Sequence, residues 1–270
     1  PPLKFDEALE VTAIHSVAGL LPPGAGLVRA RPFRSPHHTV STAALIGGGS
    51  QPRPGEISLA HKGVLFLDEL PEFQRHALDA LRQPLEEHQV TVARANRAVT
   101  FPAWFVLAAA MNPCPCGHAG DSQRECRCTP QQVARYNGRI SGPLRDRIDL
   151  IVEVPAAGPD AWDGPFGEAS SEVRARVLAA HAFRSMRQLE VSGATSSSLN
   201  AVAPGERFEE RANQLLAQAA RHLGLSARGF ARAGRVARTI ADLSGAERVG
   251  PDHVAEGLQF RAEPWSVPRS

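Results

Sequence analysis

Lysine is nearly absent from these 270 residues: Lys4 and Lys62 are the only two. Almost all positive charge is therefore arginine, and acid nearly balances it, for a formal net charge of +2 at pH 7. Whole-molecule electrostatics give no ground for nucleic-acid binding, and any basic surface must be local. No apolar run approaches the roughly 20 residues of a membrane helix, and no secretory h-region follows the N-terminus. A helical membrane protein is excluded on this reading, and a cytoplasmic setting is the default. No initiator methionine is present: the chain opens Pro1-Pro2-Leu3, and its methionines are Met111 and Met186. The expectation is a fragment of something longer. No C-x-x-C redox motif occurs, although cysteine appears four times.

What is present centres on Gly63-Val-Leu-Phe-Leu-Asp-Glu-Leu70. Its short apolar run predicts a strand buried on both faces of a parallel sheet. Asp68 and Glu69 then fall at the carboxyl end, where open α/β sheets bind ligands. Two carboxylates there need a metal, a partner or a task. The pattern is that of a Walker B motif, in which Asp68 holds Mg²⁺ through water and Glu69 activates the attacking water. The bland alternative is a strand that ends in two solvated acids.

Upstream, Asp6 to Leu21 reads as a helix capped by Asp6 and ended by Pro22-Pro23-Gly24. Arg31 to Ser41, with two prolines and the adjacent His37 and His38, reads as loop. Those histidines are either bonded to backbone or in polar contact with DNA or nucleotide. Downstream, Pro71 introduces a helix through about Glu87, kinked by Pro84. Gln89 to Pro102 alternates at period two about Asn96-Arg97 and predicts a β-hairpin. Arg94 and Arg97 fall near its tip, suited to phosphate contacts or merely solvated. Trp104 to Met111 is a second apolar strand, ending at Asn112. That amide could orient a water against a phosphate, or simply form the turn before Pro113.

The cysteines follow as Cys114-Pro-Cys116 and Cys126-Arg-Cys128. In a reducing compartment such pairs favour a metal over disulfides, and four thiolates suit tetrahedral Zn²⁺. The C-x-C spacing is tighter than the usual C-x₂-C, and His118 is a possible substitute ligand. Free thiols in an ordered loop are the alternative. Thr129 caps a helix from Pro130 to about Ile140. Arg145 and Arg147 precede a third apolar strand, Ile148 to Val154. One or both would be exposed to a neighbouring subunit, where an arginine supplied in trans stabilises a transferring phosphoryl group. Pairing with Asp146 or Asp149 is the alternative.

Residues 158–170 read as a linker between a core, 1–157, and a helical domain, 171–270. Candidate helices there are Ser171–Leu189, Glu206–Leu223, Ser226–Leu243 and Pro251–Phe260, with a loop over Val191 to Pro204. Arg228, Arg232 and Arg235 share a face by their i, i+4, i+7 spacing. That stripe is either solvated or aims one arginine at a nucleotide.

Together these segments resemble the magnesium-chelatase-like AAA+ ATPases, specifically the ComM/YifB family of bacterial DNA branch-migration helicases. The resemblance rests on Arg31-Pro-Phe-Arg-Ser-Pro-His-His-Thr39, Gly63 to Leu70, Val90 to Pro102, Asn112-Pro-Cys-Pro-Cys-Gly117 and Arg124-Glu-Cys-Arg-Cys-Thr129. It continues through Ser141 to Asp149, Leu225-Ser-Ala-Arg228 and Val236 to Asp242. It implies an α/β fold: a truncated P-loop-type parallel sheet with a β-hairpin insertion, followed by an all-α lid. It implies that Asp68 and Glu69 are Walker B, Asn112 is sensor 1, Arg147 (or Arg145) is the arginine finger and Arg228 is sensor 2. The cysteine-cluster loop, 112–129, matches the family's own.

The implied cofactors are ATP and Mg²⁺, with Zn²⁺ as a possible third. The implied partners are DNA, single-stranded or branched, and further copies in a ring, expected to be a hexamer. A P-loop lysine is missing, since Lys4 precedes Phe5 and Lys62 precedes Gly63. The chain therefore reads as the carboxyl-terminal portion of such a protein, inactive as an ATPase by itself. Two other readings stand beside it: a chelatase motor subunit for tetrapyrrole metallation, and a non-catalytic binding or assembly fragment.

Overall fold

The computed structural model describes residues 1–48, 52–94, 97–121, 124–155, 167–191 and 207–261. Contacts divide the chain into a first unit, residues 2–147, and a second that begins at Ile148.

The first unit opens with α1, Phe5–Val17, which buries Ala8, Val11 and Ile14. It starts at Lys4, not at Asp6, because the Glu7 carboxylate accepts the Lys4 backbone N–H at 3.1 Å. Then come β1, Phe33–Arg34; α2, Thr42–Ile46; β2, Gly47–Gly48; β3, Arg53–Pro54; and α3, Glu56–Leu59. The expected central strand is β4, Val64–Leu67. A short turn of helix over Leu70–Glu72 leads to α4, Arg75–Ala80, and α5, Arg82–Glu87. The single kinked helix expected here is two helices parted at Leu81. Pro84 has no N–H for the carbonyl of Ala80, and its ring crowds that carbonyl.

The hairpin is β5, Gln89–Arg94, against β6, Arg97–Pro102. Val90 and Val92 are buried with Phe101, while Thr91 and Thr100 pair hydroxyls at 3.0 Å on the other face. Arg94 lies opposite Arg97. Arg97 thus belongs to β6 and not to the turn that the alternation suggested. Residues 95 and 96, and the side chains of Arg94 and Arg97, lie outside the described residues.

The strand after the hairpin is β7, Val106–Ala109, shorter than the apolar run that predicted it. Beyond it are α6, Pro130–Asn137, and α7, Gly142–Arg145. Thr129 caps α6 as expected, in a reciprocal pair with Gln132.

The sheet is parallel, in the order β1-β4-β7. Leu65 and Leu67 of β4 are wholly buried, which stabilises the unit by about 1.5–3 kcal/mol each. β1 falls in a stretch that reads as loop. It forms because Gly63 has no side chain: a Cβ there would sit 1.9 Å from the Pro32 carbonyl oxygen. That close approach lets Val64 N–H donate to Pro32 O at 2.8 Å. The third predicted strand, Ile148 to Val154, forms no strand. Backbone groups need ladder partners to make one, and Ile151 N–H instead donates to Phe260 O in the second unit.

The second unit is helical: α8, Ser170–Val191; α9, Glu210–His222; α10, Ala227–Leu243; and α11, Pro251–Gln259. Phe208, Ala212, Leu216, Ala233, Ala237, Ala241, Val249 and Val254 form its core. Ser226 caps α10, accepting Gly229 N–H at 3.1 Å. Gly245 takes the left-handed backbone after α10, φ 71°, a conformation that glycine adopts without a Cβ penalty. The fold is thus α/β and AAA+-like, with an all-α second unit. The predicted linker (158–170) and the loop 191–204 fall largely outside the described residues. No helix among those described is long and apolar enough to cross a membrane.

Candidate functional site

The chain reverses direction immediately after β4. Glu69 adopts a left-handed backbone, φ 52° and ψ 47°, which costs a non-glycine residue on the order of 1–3 kcal/mol. Three bonds hold it there. Glu69 N–H donates to Asp68 Oδ1 at 2.9 Å, Leu70 N–H to Ala110 O at 3.0 Å, and Glu72 N–H to Glu69 O at 2.7 Å. The result is two exposed carboxylates, Asp68 and Glu69, at the carboxyl end of the middle strand.

Asn112 is exposed at the same end, because Leu67 pairs with Ala109 in the neighbouring parallel strand. Behind it the Tyr136 hydroxyl meets the Asn112 backbone, and burial keeps the Tyr136 hydroxyl above its ordinary pKa. Arg139, after α6, reaches back to Glu72 at 2.7 Å and to the Pro71 carbonyl at 3.1 Å. The helix after Asn112 is therefore tied to the turn after Glu69.

One residue that the sequence left between a backbone contact and a contact with DNA or nucleotide meets a carboxylate of this site instead. His38 Nδ1 lies 2.9 Å from Glu69 Oε2, with its ring edge on Phe73 and its face 4.0 Å from His37. The signal that could have found it is the parallel pairing of Phe33 with Val64. That register sends the chain after β1 toward the end of the sheet that carries Asp68.

The four cysteines converge. Their sulfurs all lie within 4.8 Å of one another. Cys114 is 3.4 Å from Cys116 and 3.6 Å from Cys126, and Cys116 is 3.6 Å from Cys126. Backbone amides of His118 and Arg127 hold the Cys116 thiol down at about 6. His118 is not among the group: its Nδ1 pairs with Asp121 at 3.3 Å.

Residues 1–161 match the family described as magnesium chelatase, subunit ChlI, and residues 167–261 match that family's C-terminal region. The chain belongs to the magnesium chelatase ChlI family. It is 44% identical to an uncharacterized protein, YifB, of Salmonella typhimurium, over 97% of this chain and 51% of that protein. It is 47% identical to the competence protein ComM of Haemophilus influenzae, over 86% of this chain and 45% of ComM. The magnesium-chelatase 38 kDa subunit of Cereibacter sphaeroides is more distant, 26% identical over 78% of this chain and 57% of that subunit. The chain spans about half the length of YifB and of ComM.

In this ChlI-family chain the arginines depart from expectation. Arg147, expected at an exposed position, is buried. Its Nη2 pairs with Glu86 at 2.6 Å, its Nη1 donates to Pro143 O, and its Nε has no hydrogen-bond partner among the described residues. Arg145, half-buried, donates to the Ile140 and Asn137 carbonyls. Asp149 instead takes Arg232 at 3.1 Å and Arg235 at 3.7 Å. Two members of the stripe on α10 are thus engaged inside the second unit rather than solvated, because Arg232 lies on the face that packs inward. Arg228 is exposed on the first turn of that helix.

The lysines are equally placed. Lys62 Nζ sits 4.5 Å over the Trp104 ring and 3.5 Å from Glu10, and Lys4 precedes α1. Neither faces the carboxylates of the site. Asp68 and Glu69 offer carboxylate oxygens of the kind that hold a divalent cation.

Proposed function

We propose that this chain is part of a ring-forming, cytoplasmic AAA+ motor that couples ATP hydrolysis to DNA branch migration, in recombination and natural transformation. The observation that supports it most is the pair of exposed carboxylates at the carboxyl end of β4, beside β7, whose chain runs on to Asn112 three residues past its end. The 47% identity to a protein named for competence supports the DNA-directed part.

In this reading Asp68 would hold Mg²⁺, which when bound would neutralise phosphate charge. Glu69 takes a proton from the attacking water, and the Asn112 amide orients that water. Arg147, or else Arg145, reaches the nucleotide of the next subunit. To do so Arg147 must leave Glu86. Arg228 serves the nucleotide from the helical unit, and Arg94 and Arg97 contact DNA phosphates. The phosphate-holding lysine comes from residues beyond these 270, and the ring is a hexamer.

The test uses the polypeptide of the whole reading frame. Expected is ATP hydrolysis stimulated by forked DNA, lost in Glu69→Gln while ATP binding persists. Undiminished turnover in that variant would refute the role of Glu69. Activity confined to porphyrin metallation would favour a chelatase motor, and micromolar ATP binding by the 270-residue chain alone would contradict the need for an outside lysine.

A further inference from the structure

The loop joining β7 to α6 carries the cysteines, and its local chemistry is directed at their sulfurs. The Ala119 N–H donates to Cys114 Sγ at 3.3 Å. The amides of His118 and Arg127 point at Cys116 Sγ. Cys126 Sγ takes the amide of Cys128, and Cys128 Sγ that of Cys116. Every sulfur therefore has a backbone N–H directed at it. Gly117, with φ 84°, makes the first of these turns possible, since a side chain there would be strained.

Spacing supplies the rest. Four sulfurs at about 2.3 Å from one Zn²⁺ stand about 3.8 Å apart along the tetrahedron's edges. The closest separations here are 3.4–3.6 Å, with all four sulfurs inside 4.8 Å. Disulfide sulfurs would lie at about 2.05 Å, and all four cysteines are free. His118 and Asp121 are paired with each other, which leaves a set of thiolates alone. Such a set, soft and tetrahedral, selects zinc over magnesium or calcium.

We propose that Cys114, Cys116, Cys126 and Cys128 form a structural Zn²⁺ site that staples this loop, and so fixes both of its ends. One end is Asn112, two residues before Cys114. The other is Thr129, the cap of α6, immediately after Cys128. Through α6 and Arg139 the staple reaches Glu72, three residues past Glu69. The zinc touches no reacting atom; its role is positioning. Nothing in this inference requires nucleotide, so it can fail without the ATPase reading failing, and the reverse.

The test is made on the protein as expressed. Zinc measured by mass spectrometry after dialysis against EDTA is expected at about one per chain, and at a small fraction of that in Cys116→Ser/Cys126→Ser. That variant could misfold, so Co²⁺ is also titrated into wild-type chain stripped with a mercurial. Thiolate-to-cobalt charge-transfer and tetrahedral d–d bands saturating at about one equivalent are expected. For the staple, hydrogen exchange is compared with and without zinc. Amides from 112 to 132 are expected to exchange faster without it, while those of the hairpin, 89–102, stay unchanged. Retention of no zinc together with absence of the cobalt bands would overturn the site, as would iron in place of zinc. Equal exchange across the loop would overturn the staple.

Discussion

His38 Nδ1 stands 2.9 Å from the Glu69 carboxylate, joining the loop after β1 to the turn after β4. A carboxylate that accepts an N–H in this way is a poorer base than a free one. In the full-length protein, His38→Ala is expected to raise DNA-independent ATP turnover by roughly 3- to 10-fold. His38→Gln, which keeps a donor, should stay near wild type. A steady-state ATPase assay without DNA decides it, and a lower rate in His38→Ala would show that the ring assists Glu69 instead.

Arg147 is engaged within its own unit, and that bears on any experiment that removes it. Truncation to alanine deletes the 2.6 Å pair with Glu86 and the bond to Pro143 O. Glu86 is left partly covered without this cation, at an expected cost of about 1–3 kcal/mol in urea unfolding. Arg147→Lys should cost less, because charge is retained although the two-pronged contact is not. A loss of turnover in Arg147→Ala speaks for a role in trans only if Arg147→Lys, folded as well as wild type, is also inactive.

The first unit should weaken in acid in two stages. His61 is buried, and that burial, with the nearby Lys62 ammonium, holds its pKa below the ordinary 6.5 in spite of Glu10. Trp104 N–H donates to His61 Nδ1 at 3.0 Å, so Nε2 carries the proton and donates to Glu10 at 2.8 Å. The unfolded state binds a proton more readily than the folded one, so stability is complete above about pH 6.5 and is lost as pH falls through the folded value. Glu10 is displaced downward, chiefly by the His61 hydrogen bond, from an ordinary 4.5. Its contribution is present above that value and is lost at lower pH still. Melting temperatures from about pH 7.5 to 5.5 should fall in the wild type and fall less in His61→Gln. His88, lowered by burial against Trp104, accounts for the slope that remains. Identical slopes in the two proteins would remove His61 as the origin.

Asp242 anchors the helical unit. It is buried between Arg187 and Arg238, with Arg238 Nη2 at 2.8 Å. Asp242→Ala leaves two guanidiniums without their carboxylate, at an expected cost of about 3–5 kcal/mol. Asp242→Asn should cost less, since an acceptor oxygen survives. Thermal unfolding followed by circular dichroism measures both, and a change below about 1 kcal/mol in the alanine variant would mean that the arginines find other partners.

The sequence by itself determined the elements whose cause is local. β4 followed from an apolar run ending in two acids, the hairpin from period-two alternation, and α6 from Thr129 at its cap. The place of Asp68 and Glu69 at the end of β4 was legible for the same reason, since hydrophobicity stops there, whereas the apolar run before Asn112 outlasts β7 by two residues. Tertiary structure alone decided what depends on pairing between distant segments. β1 exists because Gly63 lets Pro32 approach. Ile148 to Val154, with the pattern of a strand, is none, because a pattern does not supply a partner. His38 joined the site through strand register, and Arg147 and Arg232 left the surface because packing turned them inward. A side chain's type is written in the sequence, but the charge that faces it is chosen by the fold.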